Sequence, residues 1–107
     1  MISRDKAQSG LKALLTRQRY AVLATVDRGL PHASLVAFAV TEDGKQVVLA
    51  TEQNTRKYQN LIANAHVALL IDNRENRGSD TQQALAATIL GNAEEVEGEE
   101  RKNLIEV

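Results

Sequence analysis

The chain has 107 residues, 43% hydrophobic and 25% charged, which leaves room for one ordinary globular domain and no second. Its formal charge of −1 lacks the basic excess of a nucleic-acid-binding domain, and no apolar run reaches the ~18 residues of a membrane span. The absence of cysteine rules out disulfides, thiol nucleophiles and cysteine metal clusters, and two histidines alone are too few for a zinc site.

Met1 to Lys6 lacks the apolar stretch of a signal peptide, so a cytoplasmic domain is expected. Aromatics are only 3% and tryptophan is absent. Small aliphatic side chains fill a core poorly, which fits a protein that completes its packing with a partner subunit or a bound ligand.

Asp5 to Thr16 reads as a helix with Leu11, Leu14 and Leu15 on one stripe, Ser3 as its candidate cap and Gly10 as a weak point inside it. Tyr20 to Val26 is a continuous apolar run, the pattern of a strand covered on both faces. Asp27-Arg28-Gly29 turns the chain, and His32 to Thr41 makes a second strand after Pro31. Asp43-Gly44 signals a two-residue hairpin into a third strand, Gln46 to Thr51. Tyr58, Leu61, Ile62 and Ala65 then take helical spacing, so Thr55 to Ala63 is an amphipathic helix capped by Asn54 or Thr55. Val67 to Ile71 is a fourth strand, Asn73 to Gln83 a polar loop of functional length, and Ala84 to Val96 a fifth strand with a bulge expected at Gly91. Glu99 to Glu106 reads as the start of a helix that stops short, as if a C-terminal piece were missing from a single domain spanning 1–107. The order points to a mainly β fold: a small antiparallel β-barrel with flanking helices.

The chemistry concentrates in Thr51-Glu52-Gln53-Asn54-Thr55-Arg56-Lys57. Two cations in a first helical turn oppose the macrodipole, at a cost of about 0.3–1 kcal/mol each. A bound anion would reverse that sign, held by the free amides, the Thr51 and Thr55 hydroxyls, and Arg56 and Lys57. Ordinary solvated charges, paired with Glu52 or with nothing, account for the same residues about equally well. His32 at a strand end and His66 at a strand start read first as rim and surface residues. The carboxylates from Glu94 to Glu100 lack the spacing of a calcium loop.

From about Leu11 to its end the chain resembles the pyridoxamine 5′-phosphate oxidase-like, FMN-binding split β-barrel family. The resemblance rests on Leu23-Ala24-Thr25-Val26, Gly29-Leu30-Pro31-His32-Ala33-Ser34-Leu35-Val36, Thr51 with Thr55-Arg56-Lys57 and Asn60-Leu61, Val67 to Ile71, and Gly91-Asn92-Ala93-Glu94. It implies a split antiparallel barrel, FMN as cofactor, and a homodimer with the flavin at its interface. Thr55, Arg56 and Lys57 would hold the phosphate with Thr51 beside them. Ser34, Leu35 and Val36 would follow the ring and ribityl chain, largely through backbone groups, and His32 could bond flavin or substrate. The enzyme's Arg, Lys and Gln are replaced by Ser34, Ala39 and Ala86, and its substrate-binding C-terminal tract has no counterpart. The resemblance therefore implies a flavin-dependent oxidoreductase acting on some other small molecule, with no catalytic residue assignable. The alternatives are a non-catalytic flavin- or haem-binding module and a deazaflavin-dependent reductase.

Overall fold

In a computed structural model, residues 4–52, 54–96 and 102–106 are described. The elements are α1 (Arg4–Arg17), β1 (Tyr20–Asp27), β2 (Leu30–Val40), β3 (Gln46–Ala50), α2 (Arg56–Ala63), β4 (His66–Asp72), α3 (Asp80–Gln83), β5 (Ala86–Val96) and β6 (Lys102–Glu106). The six strands close an antiparallel barrel in the order β1-β2-β3-β6-β5-β4. No helix among the described residues is long and apolar enough to cross a membrane.

The local signals explain most of these elements. Asp27 pairs with Leu30, and Arg28 and Gly29 between them both take positive φ, +54° and +77°, the backbone of a tight hairpin whose twist matches its strands. The β2–β3 connection is longer than the two residues expected. Thr41 N donates to Gln46 O at 3.0 Å, and Asp43 Oδ1 accepts from the Thr41 hydroxyl and from Lys45 N inside a four-residue loop. A Cβ at Gly10 would sit 3.0 Å from Leu85 Cδ2, so a larger residue there would need the end of that side chain to shift. The proposed Ser3 cap lies outside the described residues.

Two expectations are corrected. Lys102–Glu106 is not helical but forms β6, which pairs with β3 (Val48 opposite Leu104) and with β5 (Glu94 opposite Leu104) and so closes the barrel. At Gly91 there is no bulge: Val67 faces it in unbroken register between Ala68–Leu90 and His66–Asn92. The polar segment after β4 is also more ordered than a plain loop. Asn73 closes its base, its N–H donating to Leu85 O at 3.0 Å and its Oδ1 accepting from Leu85 N at 2.6 Å. Asp80 organises its tip through Glu75 N at 3.1 Å and Arg77 N at 3.0 Å, and opens the short α3.

Alternate strand residues fill the barrel, with Leu23, Val47, Leu49, Leu69 and Ile71 fully buried. The strands are apolar on their outer face too, but in the single chain that face is open. Val22 lies between Leu35 and Leu70, and Ala24 between Ala33 and Ala68, which in turn faces Leu90. Leu35 and Leu90 are 69% and 77% exposed.

Thr55 caps α2, its hydroxyl accepting from Tyr58 N at 3.3 Å while donating to Glu52 O at 2.8 Å. Replacing Thr55 by Ala should cost about 0.5–2 kcal/mol in urea unfolding, and Thr55→Ser almost nothing. The Asp80 carboxyl is held below its ordinary range, first by the Glu75 N–H, because these bonds favour the ionised form. Its contribution is thus present above the ordinary carboxylate pKa and fades as pH falls below about 4. The Glu75 and Arg77 amide resonances should shift together in that range, and the transition should vanish in Asp80→Ala.

Candidate functional site

The joint between β3 and α2 gathers the residues that the sequence singles out. Phe38 N donates to Arg19 O at 3.0 Å, so the even-numbered residues of β2 direct their backbone groups to β1. Odd-numbered residues turn theirs the other way, and Thr41 N reaches Gln46 O on that side. Yet β3 pairs with β2 only from Phe38 to Val40. The N–H and C=O groups of Ala33 and Leu35 therefore line an edge with no strand neighbour among the described residues. Extending the β2–β3 register past Leu49 sets Thr51 opposite Val36, where the chain leaves the sheet. Four peptide steps, at most ~14 Å of chain, tether Thr55 to that point. α2 then packs on β1 and β2.

At the start of α2 the Thr55 hydroxyl is committed to the cap, which leaves Arg56 N and Lys57 N as the amides the cap does not use. Arg56 is exposed, Lys57 is half-buried, and the first turn holds no acidic residue. Neither cation is ion-paired among the described residues, and Glu52 does not reach them. Positive side chains, spare amides and the positive end of a helix thus coincide at a place that no carboxylate neutralises. The donor set fits a phosphate.

The β2 residues divide by strand alternation. Leu35 turns its backbone groups to the open edge and its side chain to the exposed outer face. Ser34 and Val36 face inward: Val36 is 5% exposed, and Ser34 Oγ is buried with no hydrogen-bond partner among the described residues. A large residue at position 34 would press into the barrel rather than block the edge. His32 also faces inward, half-buried and opposite Thr25, whereas His66 is exposed. No group of three or more His, Asp or Glu side chains gathers into a metal site among the described residues.

Sequence reasoning gave no role to the buried pair beneath the clamp. Asn60 is 2% exposed and Thr25 is 3%, and Asn60 Nδ2 donates to Thr25 Oγ1 at 3.0 Å. The legible signal was a threonine continuing the inward row Ala21, Leu23, and an amide beside the buried Leu61. Separately, an open groove of about 790 Å³ runs between α1 and the β2–β3 loop, lined by Leu11, Lys12, Leu15, Phe38, Val40 and Asp43 among others. It contains none of the residues named above as candidates and lies away from the two cations.

The family model for pyridoxamine 5′-phosphate oxidase matches residues 8–106. A pyridoxamine 5′-phosphate oxidase homolog of Schizosaccharomyces pombe is 32% identical over 71 residues, covering 59% of this chain. The chain spans only 37% of that relative's length. Among solved structures, the FAD-binding protein from Mycobacterium smegmatis superposes with a TM-score of 0.72 at 18% identity, covering 92% of this chain and 84% of that one. HutZ, the heme storage protein from Vibrio cholerae, gives 0.74 at 18% identity, covering 92% and 87%. At such identities the structures establish a shared fold, and the extent of the family match settles membership: the chain belongs to the pyridoxamine 5′-phosphate oxidase family.

Proposed function

We propose that the protein binds FMN, with its phosphate at the start of α2 and its ring along the open edge of β2, and acts as an oxidoreductase on a small molecule. The observation that carries this reading is the unneutralised Arg56–Lys57 turn, tethered to the edge where Ala33 and Leu35 lack a strand neighbour. An anion turns the unfavourable placement of two cations into a favourable one. The open backbone edge supplies donors and acceptors of the kind a flavin's polar rim needs. FMN would supply the electron and hydride chemistry, and the chain would bind, orient and shield it. The FAD-binding description of one structural neighbour supports a flavin in general.

The reading includes a homodimer. Its support is the open outer face, where Leu35, Val22, Leu70, Ala68 and Leu90 form adjoining apolar rows over four strands. An exposed apolar surface that continuous is the mark of an interaction site.

A second reading, a flavin- or haem-holding module without catalysis, has its own observation. Ala39 and Ala86 are exposed and offer no functional group where the enzyme of the family carries Lys and Gln. Reduction of the bound flavin by NAD(P)H, followed by reoxidation with candidate acceptors, supports the enzyme. A flavin that no donor reduces supports the module.

Removing both cations, in Arg56→Ala/Lys57→Ala, should weaken FMN binding by about 3–6 kcal/mol, or roughly 10²- to 10⁴-fold. Riboflavin, which lacks the phosphate, should bind wild type and variant alike, and apo stability should hold or rise slightly. Calorimetric titration and thermal melting read both quantities, and equal FMN affinity in the two proteins removes the clamp. Light scattering with FMN present should give a dimer mass, and Leu90→Arg should shift it toward the monomer. A monomeric wild type at micromolar concentration ends the interface reading.

A further inference from the structure

The buried pair beneath α2 is more than packing. Asn60 sits at the third position after Lys57 and the fourth after Arg56, so it lies on the same helical stripe as both cations, one turn on. It carries an amide into an apolar environment: Leu61 beside it is buried, and Leu23 and Leu69 are fully buried in the barrel. Only half of that amide is used. Nδ2 donates to Thr25 Oγ1, while Oδ1 is buried with no hydrogen-bond partner among the described residues. A leucine, of the same branched shape, would avoid that unsatisfied carbonyl.

What an amide does and a leucine cannot is fix direction. Apolar contacts allow a helix to slide and rotate by fractions of a turn, whereas a buried hydrogen bond has one good geometry. α2 has eight residues, too few to hold its own shape or place without tertiary anchors. Another side-chain anchor, the Tyr58 hydroxyl on Glu95 Oε1 at 3.0 Å, is exposed and leads to another strand. The Asn60–Thr25 bond is buried, and it ties the helix to β1, the strand that pairs with the whole N-terminal part of β2.

We infer that Asn60, acting through Thr25, is a positioning residue for the anion clamp: it sets the rotation of α2 so that Arg56 and Lys57 meet a phosphate at the β2 edge. The inference rests on the FMN reading above and adds to it a determinant of selectivity for the phosphorylated flavin. Charge-assisted bonds are directional, so a small rotation of the helix loses part of their strength without removing either charge.

The test is the ratio of FMN to riboflavin affinity, titrated calorimetrically on the full chain for the wild type and five variants with melting recorded for each. Asn60→Leu and Thr25→Val should each lower FMN affinity about tenfold, the size of one lost hydrogen bond's influence, and leave riboflavin affinity unchanged. Thr25→Ser keeps the hydroxyl and should retain the wild-type ratio. Combining Asn60→Leu with Thr25→Val should lower the ratio no further than either alone, because both break the same bond. If Asn60→Leu fails to fold, the near-isosteric Thr25→Val decides. A purely structural pair would instead lose FMN and riboflavin affinity together, or neither. That result, with Arg56→Ala/Lys57→Ala still losing FMN selectively, overturns the positioning role and leaves the clamp standing. A wild-type ratio in the Arg56→Ala/Lys57→Ala protein overturns the clamp itself, and the positioning role falls with it.

Discussion

The site depends on how β2 divides its hydrogen bonds. It is paired to β1 from Leu30 to Ala37, but to β3 only from Phe38 to Val40. A strand of eleven residues flanked on one side by a partner of five must leave part of its edge open. Open strand edges are liabilities, because unpaired amides and carbonyls recruit other chains or ligands. Here the opening begins where the chain departs for α2, so the edge, Thr51 and the two cations are brought together by connectivity. The sheet's incomplete pairing and the cationic turn are two ends of one short segment, and a ligand with a planar polar rim and a phosphate tail would answer both.

The helix start shows a second form of the same economy. Thr55 caps it by accepting from Tyr58 N, so the helix starts without a ligand although Arg56 N and Lys57 N stay spare. What also remains unsatisfied is electrostatic: two positive side chains beside the positive end of a dipole, without a carboxylate. Unsatisfied polar features also continue inward, to Asn60 Oδ1 and Ser34 Oγ. Conflicts between local preference and observed residue tend to concentrate at functional sites, and among the described residues they fall on β2 and α2.

Much of this was readable in the sequence, and the exceptions share one cause. β1, α2 and the Arg28-Gly29 turn follow from periodicity and turn chemistry, which act over a few residues. Taken locally, Glu99 to Glu106 reads as the start of a helix, yet Lys102–Glu106 is a strand. Its strand state comes from β3 on one side, more than 50 residues away, and from β5 on the other, 6–12 residues away, partners that no local pattern announces. Ser34 and Leu35 are equivalent by composition of their surroundings, and only the register with β1 decides which faces the barrel. The Asn60–Thr25 bond spans 35 residues, so its two halves look like an isolated polar helix residue and an isolated β-branched strand residue until the barrel closes.

The apolar character of both strand faces can now be given two separate explanations. Inward, Leu23, Leu49, Leu69 and Ile71 fill the barrel, with Phe38 half-buried against that core. Outward, Leu35 and Leu90 gain nothing from the barrel, and their exposure costs solubility with no internal return. The rows they belong to run across β2, β1, β4 and β5, and β2 is also the strand whose edge is open. A second copy laid on those rows would therefore border the same edge, sheltering from water a ligand that one barrel alone can grip only from one side. The proposed association and the proposed flavin binding would then share one origin: an apolar outer face and an unpaired backbone edge on the same strand.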